Sequence, residues 1–377
     1  DLHSFPTRRS SDLEPVRREM AFDKIAIITV TSTIVYAAAM IGFVELGFSY
    51  MSFAWANIIS GSTGMLLGFY FRPDFSIFRL SLKDWRKLAD FASYQTAAYA
   101  LVSLWEYIPY LIFGRLLDVA AVGLYQRATT LCLLPKKAIL GGLASIALPA
   151  FSASVRDGMD LKTSYLRAVT FITGVQWPCL ALLALLARPI IAVLLGEQWQ
   201  EAAPLVSIIA AALMFNFSVN LTFSVLLVAG AVRYAFFLYL IVVPVSALIV
   251  AGAAHYGLMA VAWSMFLIVP FEVLMALHFI RRALPFPLSA LLAALMPSAV
   301  VTLCSVLGPW LVIAAHDWTF DLDPGPAAVA ILLAGAGWLA GLRLTRHPLY
   351  AELVRAVKTA LARLPGRSAP LLADSRL

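Results

Sequence analysis

Residues 287–313 read PLSALLAALMPSAVVTLCSVLGPWLVI, twenty-seven positions without an Asp, Glu, Lys or Arg. A hydrocarbon core about 30 Å thick is crossed by about 20 apolar residues of α-helix, so this stretch is long enough to span one. It is far longer than the roughly ten residues of a barrel strand, and its apolar residues do not alternate with polar ones. The segment therefore reads as a transmembrane helix.

The same reading carried outward finds ten spans, at about 25–45, 49–71, 89–114, 121–150, 164–195, 203–229, 233–252, 257–280, 287–313 and 326–343. Pro135, Pro178, Pro189, Pro244 and Pro270 fall inside them. Such residues break soluble helices, but in a bilayer neighbouring helices and hydroxyls satisfy the freed backbone groups. Composition agrees: 62% of the 377 residues are hydrophobic and 13% are charged, with a mean hydropathy of +0.86. Soluble domains carry about 45–50% apolar and about 25% charged residues. That contrast argues against a water-soluble enzyme, a nucleic-acid binder and a disordered scaffold. The expected fold is all-α integral membrane with ten transmembrane helices.

Lys and Arg outnumber Asp and Glu by 28 to 21, a net charge of +7. Their placement tests the span map, because cytoplasmic loops retain positive charge. One set of alternate segments holds Arg17, Arg18 and Lys24; Arg72, Arg79, Lys83, Arg86 and Lys87; Arg156, Lys162 and Arg167; Arg233; and Arg281 with Arg282. It ends in a tail running from Arg343 to Arg376. The opposite set holds Arg115 and Arg188, both at helix ends, and its last loop is acidic through Asp317, Asp321 and Asp323. Both ends of the ten-span unit are therefore expected in the cytoplasm. Cys132, Cys179 and Cys304 all lie in apolar spans, without metal-ligand spacing, and read as small hydrophobes.

Two cytoplasmic segments are amphipathic. RPDFSIFRLSLKDWRKLADFA, from Arg72, sets Phe75, Phe78, Leu80, Leu82, Trp85 and Leu88 among five cations. That pattern suits an interfacial helix on anionic lipid, and equally an ordinary positive-inside loop. In the tail, Leu353, Val357, Leu361 and Leu364 share one helical face before Pro365.

Ionisable residues inside spans are costly and usually face a polar cavity, which makes them candidates for a site. Arg127 opens the fourth span, and Lys136 with Lys137 interrupts it. Arg127 and Lys137 are ten positions apart, so they line one side of a helix. Three cations on one span could hold a phosphate or another anionic headgroup. The alternative is that one of them pairs with Glu106 of the third span while the others snorkel to an interface. Glu106 is also a candidate for a coupling proton or cation. Glu272 is read toward the cytoplasmic third of the eighth span, where a structural role competes with coupling. Asn216 and Asn220, four apart in the sixth span, share a helical face and read as interhelical contacts or ligands. Gln95 and Gln176 complete the polar set.

Enzyme signatures are missing from the sequence. There is no GxxxxGK[ST], HExxH or GxSxG pattern, and Asp321 with Asp323 reads as a solvated acidic loop. No cofactor or metal is implied.

RREMAF at 17–22, YLIFGRLLDVAAVGLYQRATTLCLLP at 110–135, IALPAFS at 146–152 and ARPIIAVLLGEQWQEAAPLV at 187–206 together resemble polysaccharide flippases. These are the Wzx-type members of the multidrug/oligosaccharidyl-lipid/polysaccharide exporter superfamily. The resemblance runs from about Glu14 to Arg282 and weakens over the last two spans. It implies two six-helix bundles followed by two extra helices, a substrate cavity between the bundles, and alternating access. It also implies an undecaprenyl-diphosphate-linked oligosaccharide as cargo, in the bacterial inner membrane, beside polysaccharide polymerase and export machinery and the membrane lipids. The ten spans match helices five to fourteen of that plan, so an N-terminal truncation is expected. HSFPTRRSSDL at 3–13 matches the translation of a common sequencing adapter, in keeping with that expectation.

The resulting map is an adapter artefact at 1–13, two helices of an N-terminal bundle at 14–71 and a basic linker at 72–90. A C-terminal six-helix bundle follows at 91–282, then two extra helices at 283–343 and a cytoplasmic tail at 344–377. Arg127, Lys136 and Lys137 are matched to the cavity-lining cations of the family, with Asn216, Asn220 and Gln95 as further substrate contacts and Glu106 and Glu272 as ion-coupling candidates. Three other readings stand beside this one, among them a lipid-binding membrane scaffold without transport. A cation-coupled multidrug exporter of the same superfamily would favour cavity carboxylates over cations. A membrane-embedded glycan polymerase or ligase would need a sizeable extracytoplasmic loop.

Overall fold

The computed structural model describes residues 22–71, 85–156 and 160–362. The adapter-like segment, most of the basic linker, and Leu364 of the tail lie outside the described residues. So do the side chains of Asn220, Val357 and Leu361. The described residues are helical and contain no strand, as an integral membrane protein of the all-α class requires. Seven of their helices are long and apolar enough to cross a membrane.

The chain divides into two units, residues 1–88 and 89–377. In the first, α1 (Phe22–Glu45) and α2 (Met51–Phe71) form an antiparallel hairpin. Its turn uses positive φ at Gly47 and Ser49. Ser60 donates to the Ser32 carbonyl at 2.9 Å, and the hairpin buries Ile28, Ser52 and Ala56.

The second unit contains α3 (Trp85–Leu116, from Ala89 onward), α4 (Val119–Arg156), α5 (Leu161–Leu185), α6 (Ala187–Leu194), α7 (Ala203–Leu213) and α8 (Val219–Val228). It continues with α9 (Val232–Ala254), α10 (Leu258–Ala283), α11 (Leu288–Ala315), α12 (Pro324–Leu344) and α13 (Pro348–Ala362). Helix α7 lies at the centre, packed by α4, α5 and α10 through Leu205, Val206, Ile209 and Ala210. Leu248, Leu303 and Leu332 stand exposed, as lipid-facing residues do.

Two predicted spans are broken. The span expected at 164–195 stops at Leu185 and resumes at Ala187. Pro189 explains the break, since its ring collides with the carbonyl four residues back, that of Leu185. The span expected at 203–229 is unwound at 214–218, which leaves two short helices. Asn216 and Ser218 fall in this gap, and both residue types compete for local backbone partners. Helix α5 covers the opened segment: Trp177 Nε1 donates to the Met214 carbonyl, and Tyr165 Oη lies 2.8 Å from Ser218 Oγ.

Helices α11 and α12 pack on each other, and α11 packs on α5. The α11–α12 contact uses small residues. A Cβ on Gly337 would strike the Cys304 carbonyl oxygen, and one on Gly341 would lie 2.9 Å from Val301 Cα. These two glycines form a G-x-x-x-G pair, the spacing that lets helix backbones approach in lipid, where burial of apolar surface does not drive helices together.

A buried polar network joins α5, α11 and the start of α13. Thr173 donates to Ser298 Oγ at 2.8 Å, and Ser298 Oγ lies 3.3 Å from His347 Nε2. Leu349 N–H donates to His347 Nδ1 at 3.2 Å, so that nitrogen carries no proton and the ring is neutral. His347 is 1% exposed. Burial holds its pKa below the ordinary 6.5, although a hydrogen bond to the Thr170 backbone acts in the opposite sense. A buried neutral histidine costs stability once the unfolded chain binds a proton that the folded chain does not. The thermal midpoint in detergent is therefore expected to be unaffected by this group above pH 6.5, and to fall as the pH drops from 6.5 toward the lowered folded value. His347→Asn retains an acceptor for Leu349 N–H without the proton site. It should flatten this acid limb, and an unchanged limb would assign the acid sensitivity to other groups.

Candidate functional site

The fourth helix carries the three intramembrane cations on two different faces. Successive residues of an α-helix turn by about 100°, so Lys136 and Lys137 cannot point the same way. Tyr125, Cys132 and Lys136 recur at i, i+7 and i+11, a single stripe. Tyr125 and Cys132 are buried, and Lys136 is half-buried beside them. Arg127, Thr130, Leu134 and Lys137 recur at i, i+3, i+7 and i+10, and all four are exposed. The expected cluster of three cations is thus one inward lysine and an outward pair about 15 Å apart along the axis.

The inward face meets acid. The Lys136 ammonium interacts electrostatically with Glu272 of α10 and Glu106 of α3. Direct ion pairs among the described residues join Arg188 to Asp321 and Arg355 to Glu352, so Lys136 and its carboxylates interact at longer range. Glu272 lies fourteen residues from the start of α10 and eleven from its end, near the middle of the helix. The helix runs on past 280 to Ala283 with Arg281 and Arg282 in its last turn, where cations favour the C-terminal dipole.

Glu106 pairs with Arg127 in the alternative sequence reading, but the structure places Arg127 elsewhere. Its guanidinium stands 5.2 Å from the ring centroid of Trp199, in the 3₁₀ turn Glu197–Ala202. Stacking of this kind is favourable for a planar, weakly hydrated guanidinium and leaves its edge free to donate.

The remaining candidates divide. Gln95 is half-buried on α3 and shares a stripe with Tyr99 and Glu106, at i, i+4 and i+11. Tyr99 packs on Phe223 of α8, with ring centroids 4.9 Å apart. Asn216 is half-buried in the α7–α8 break, so it does not share a helical face with Asn220, which lies in the first turn of α8.

Sequence reasoning missed the aromatic members. Tyr125 sits against Phe113 at 4.8 Å and Tyr110 at 6.2 Å between ring centroids. Tyr125 and Tyr239 of α9 both lie within electrostatic reach of Glu272. The eleven-residue spacing of Tyr125 and Lys136 was a usable signal for the first of these. Nothing local marks Tyr239, and Trp199 reaches Arg127 only through the fold.

Comparison with known proteins supplies a context for this arrangement. Residues 10–204, just over half of the chain, match the profile of a family described as polysaccharide biosynthesis protein. Over 228 residues the chain is 22% identical to the teichuronic acid biosynthesis protein TuaB of Bacillus subtilis (strain 168), an overlap of 59% of this chain and 46% of that protein. The chain therefore spans less than half the length of this curated relative. No solved structure matches. The helices able to cross a membrane and the family profile lead to one conclusion: this multi-pass membrane protein belongs to the polysaccharide biosynthesis protein family.

Proposed function

We propose that the protein is a flippase. In this reading it carries undecaprenyl-diphosphate-linked oligosaccharide from the cytoplasmic to the outer leaflet of the bacterial inner membrane by alternating access, with its C-terminus in the cytoplasm. The observation that carries the proposal is the exposed Arg127–Lys137 stripe on α4, set against the inward Lys136 with Glu272 and Glu106. An exposed cation on a helix packed among membrane spans is costly unless it faces a polar path. Two such cations on one face would offer a diphosphate successive holds, with Arg127 acting as a fork and Lys137 as a point charge. The carboxylates opposite Lys136 then serve as the coupling group, where binding of a proton or cation to Glu272 or Glu106 would release Lys136. Sugar and prenyl chain need no covalent chemistry in this scheme, so the protein acts as a carrier and not as a catalyst.

Deletion of the gene tests this reading. The lipid-linked oligosaccharide is expected to accumulate in the cytoplasmic leaflet, where intact cells shield it from a membrane-impermeant oxidant of sugar diols. Accumulation in the outer leaflet would instead place the protein after translocation, as a polymerase or ligase would be.

A further inference from the structure

A second group of cations lies at the end of α10, six to ten residues past Glu272 on the same helix. His278, Arg281 and Arg282 recur at i, i+3 and i+4, so they share one face of the last turns. With Pro285, Phe286 and Pro287 of the following turn they line an open pocket of about 530 Å³. Arg281 is pre-oriented: its Nε donates to the Phe286 carbonyl at 3.1 Å, which leaves the two terminal nitrogens to face a ligand. Neither Arg281 nor Arg282 forms an ion pair with a carboxylate among the described residues. Helix α11 starts at Leu288, directly after the pocket wall, and adds the positive end of its dipole.

The stripe below the cations is apolar. Leu267, Phe271, Leu274, His278 and Arg281 follow one another at i, i+4, i+7, i+11 and i+14 on α10. Leu267 and Leu274 are about 60% exposed. From Leu267 to Arg281 the stripe is about 21 Å long, more than the roughly 15 Å depth of one leaflet's hydrocarbon. A free anion would use the cations and leave the leucines without a partner. A phospholipid would use both.

We infer that this pocket binds the phosphodiester of an anionic phospholipid, with an acyl chain along Leu267, Phe271 and Leu274. The site is independent of the transport reading, because it requires only that the chain is embedded in a membrane.

Titration of the purified chain in detergent with phosphatidylglycerol or phosphatidylethanolamine, with bound lipids counted by native mass spectrometry, tests the site. Phosphatidylglycerol should be retained more tightly, and Arg282→Gln should weaken it by about fivefold, the effect of one cation at a lipid surface. Arg282 makes no described hydrogen bond, so this variant leaves the α10–α11 turn intact. Arg281→Gln with Arg282→Gln should abolish the preference, whereas Arg343→Gln with Arg346→Gln, at the end of α12, should leave it unchanged. Millimolar inorganic phosphate should not displace the lipid. Equal retention of both lipids, an unchanged Arg282→Gln variant, an equal loss in the α12 variant, or displacement by inorganic phosphate would each overturn the inference.

Discussion

If the protein exports polymer as proposed, replacing both Lys136 and Lys137 with Ala should abolish export, and the two single variants should fail for different reasons. Lys137 stands on the exposed face with Arg127. Lys137→Ala should fold normally and lower export about tenfold or more, as the loss of one charge-assisted hydrogen bond of about 1.5–3 kcal/mol would do. Lys137→Arg should restore it. Lys136→Ala acts on the fold as well, since it leaves Glu272 and Glu106 without their counter-charge. Breaking a fully buried contact pair costs about 3–5 kcal/mol, and the loss here should be smaller because Lys136 and Glu272 are half-buried and form no direct ion pair. A second change, Glu272→Gln, should recover the thermal midpoint of Lys136→Ala without recovering export. Surface polymer, protein abundance and the midpoint in detergent separate these cases. Wild-type export by the Lys136→Ala, Lys137→Ala double variant would sink the proposed role of the α4 cations.

The second large effect is structural. Gly337→Leu is expected to prevent α12 from seating on α11 and to yield aggregated protein. Even Gly337→Ala places its Cβ against the Cys304 carbonyl oxygen and within 3.2 Å of Ser305 Cα. These are backbone atoms, so no side-chain rotation relieves the contact, and the helices must separate. Overpacking of a close-packed core costs about 1–3 kcal/mol and sometimes more, and the rigid neighbour places Gly337→Ala at the upper end. Gly335 supplies the control on the same helix, because a Cβ there has no neighbour within 4 Å. Gly335→Ala should leave the midpoint unchanged or slightly raised, as expected for a residue of better helix propensity. Equal behaviour of the two alanine variants would remove the G-x-x-x-G contact as the basis of α11–α12 packing.

Membrane class and helical content were legible in the sequence because both follow from local composition. A run such as 287–313 has no hydrogen-bonding alternative to helix in lipid, whatever it packs against. Cations and carboxylates inside spans were legible on the same ground, since their cost in hydrocarbon is a property of residue and depth. The breaks at Leu186 and at 214–218 were written in Pro189, Asn216 and Ser218. Hydropathy averages across such positions, and so it read two continuous spans.

The tertiary structure decided which way each helix faces. A rotation of about 100° separates adjacent residues, so KK at 136–137 holds one lysine that turns toward Glu272 and Glu106 and one that turns away. Hydropathy does not encode that rotation. It is set by side chains on other helices: the small residues of α7 that let α4 and α10 approach, and the Trp199 ring that holds Arg127 on the outward face. The sequence by itself determined that charge enters the membrane and on which helices. Only packing, through the axial angle it imposes on each helix, determined which of those charges meet.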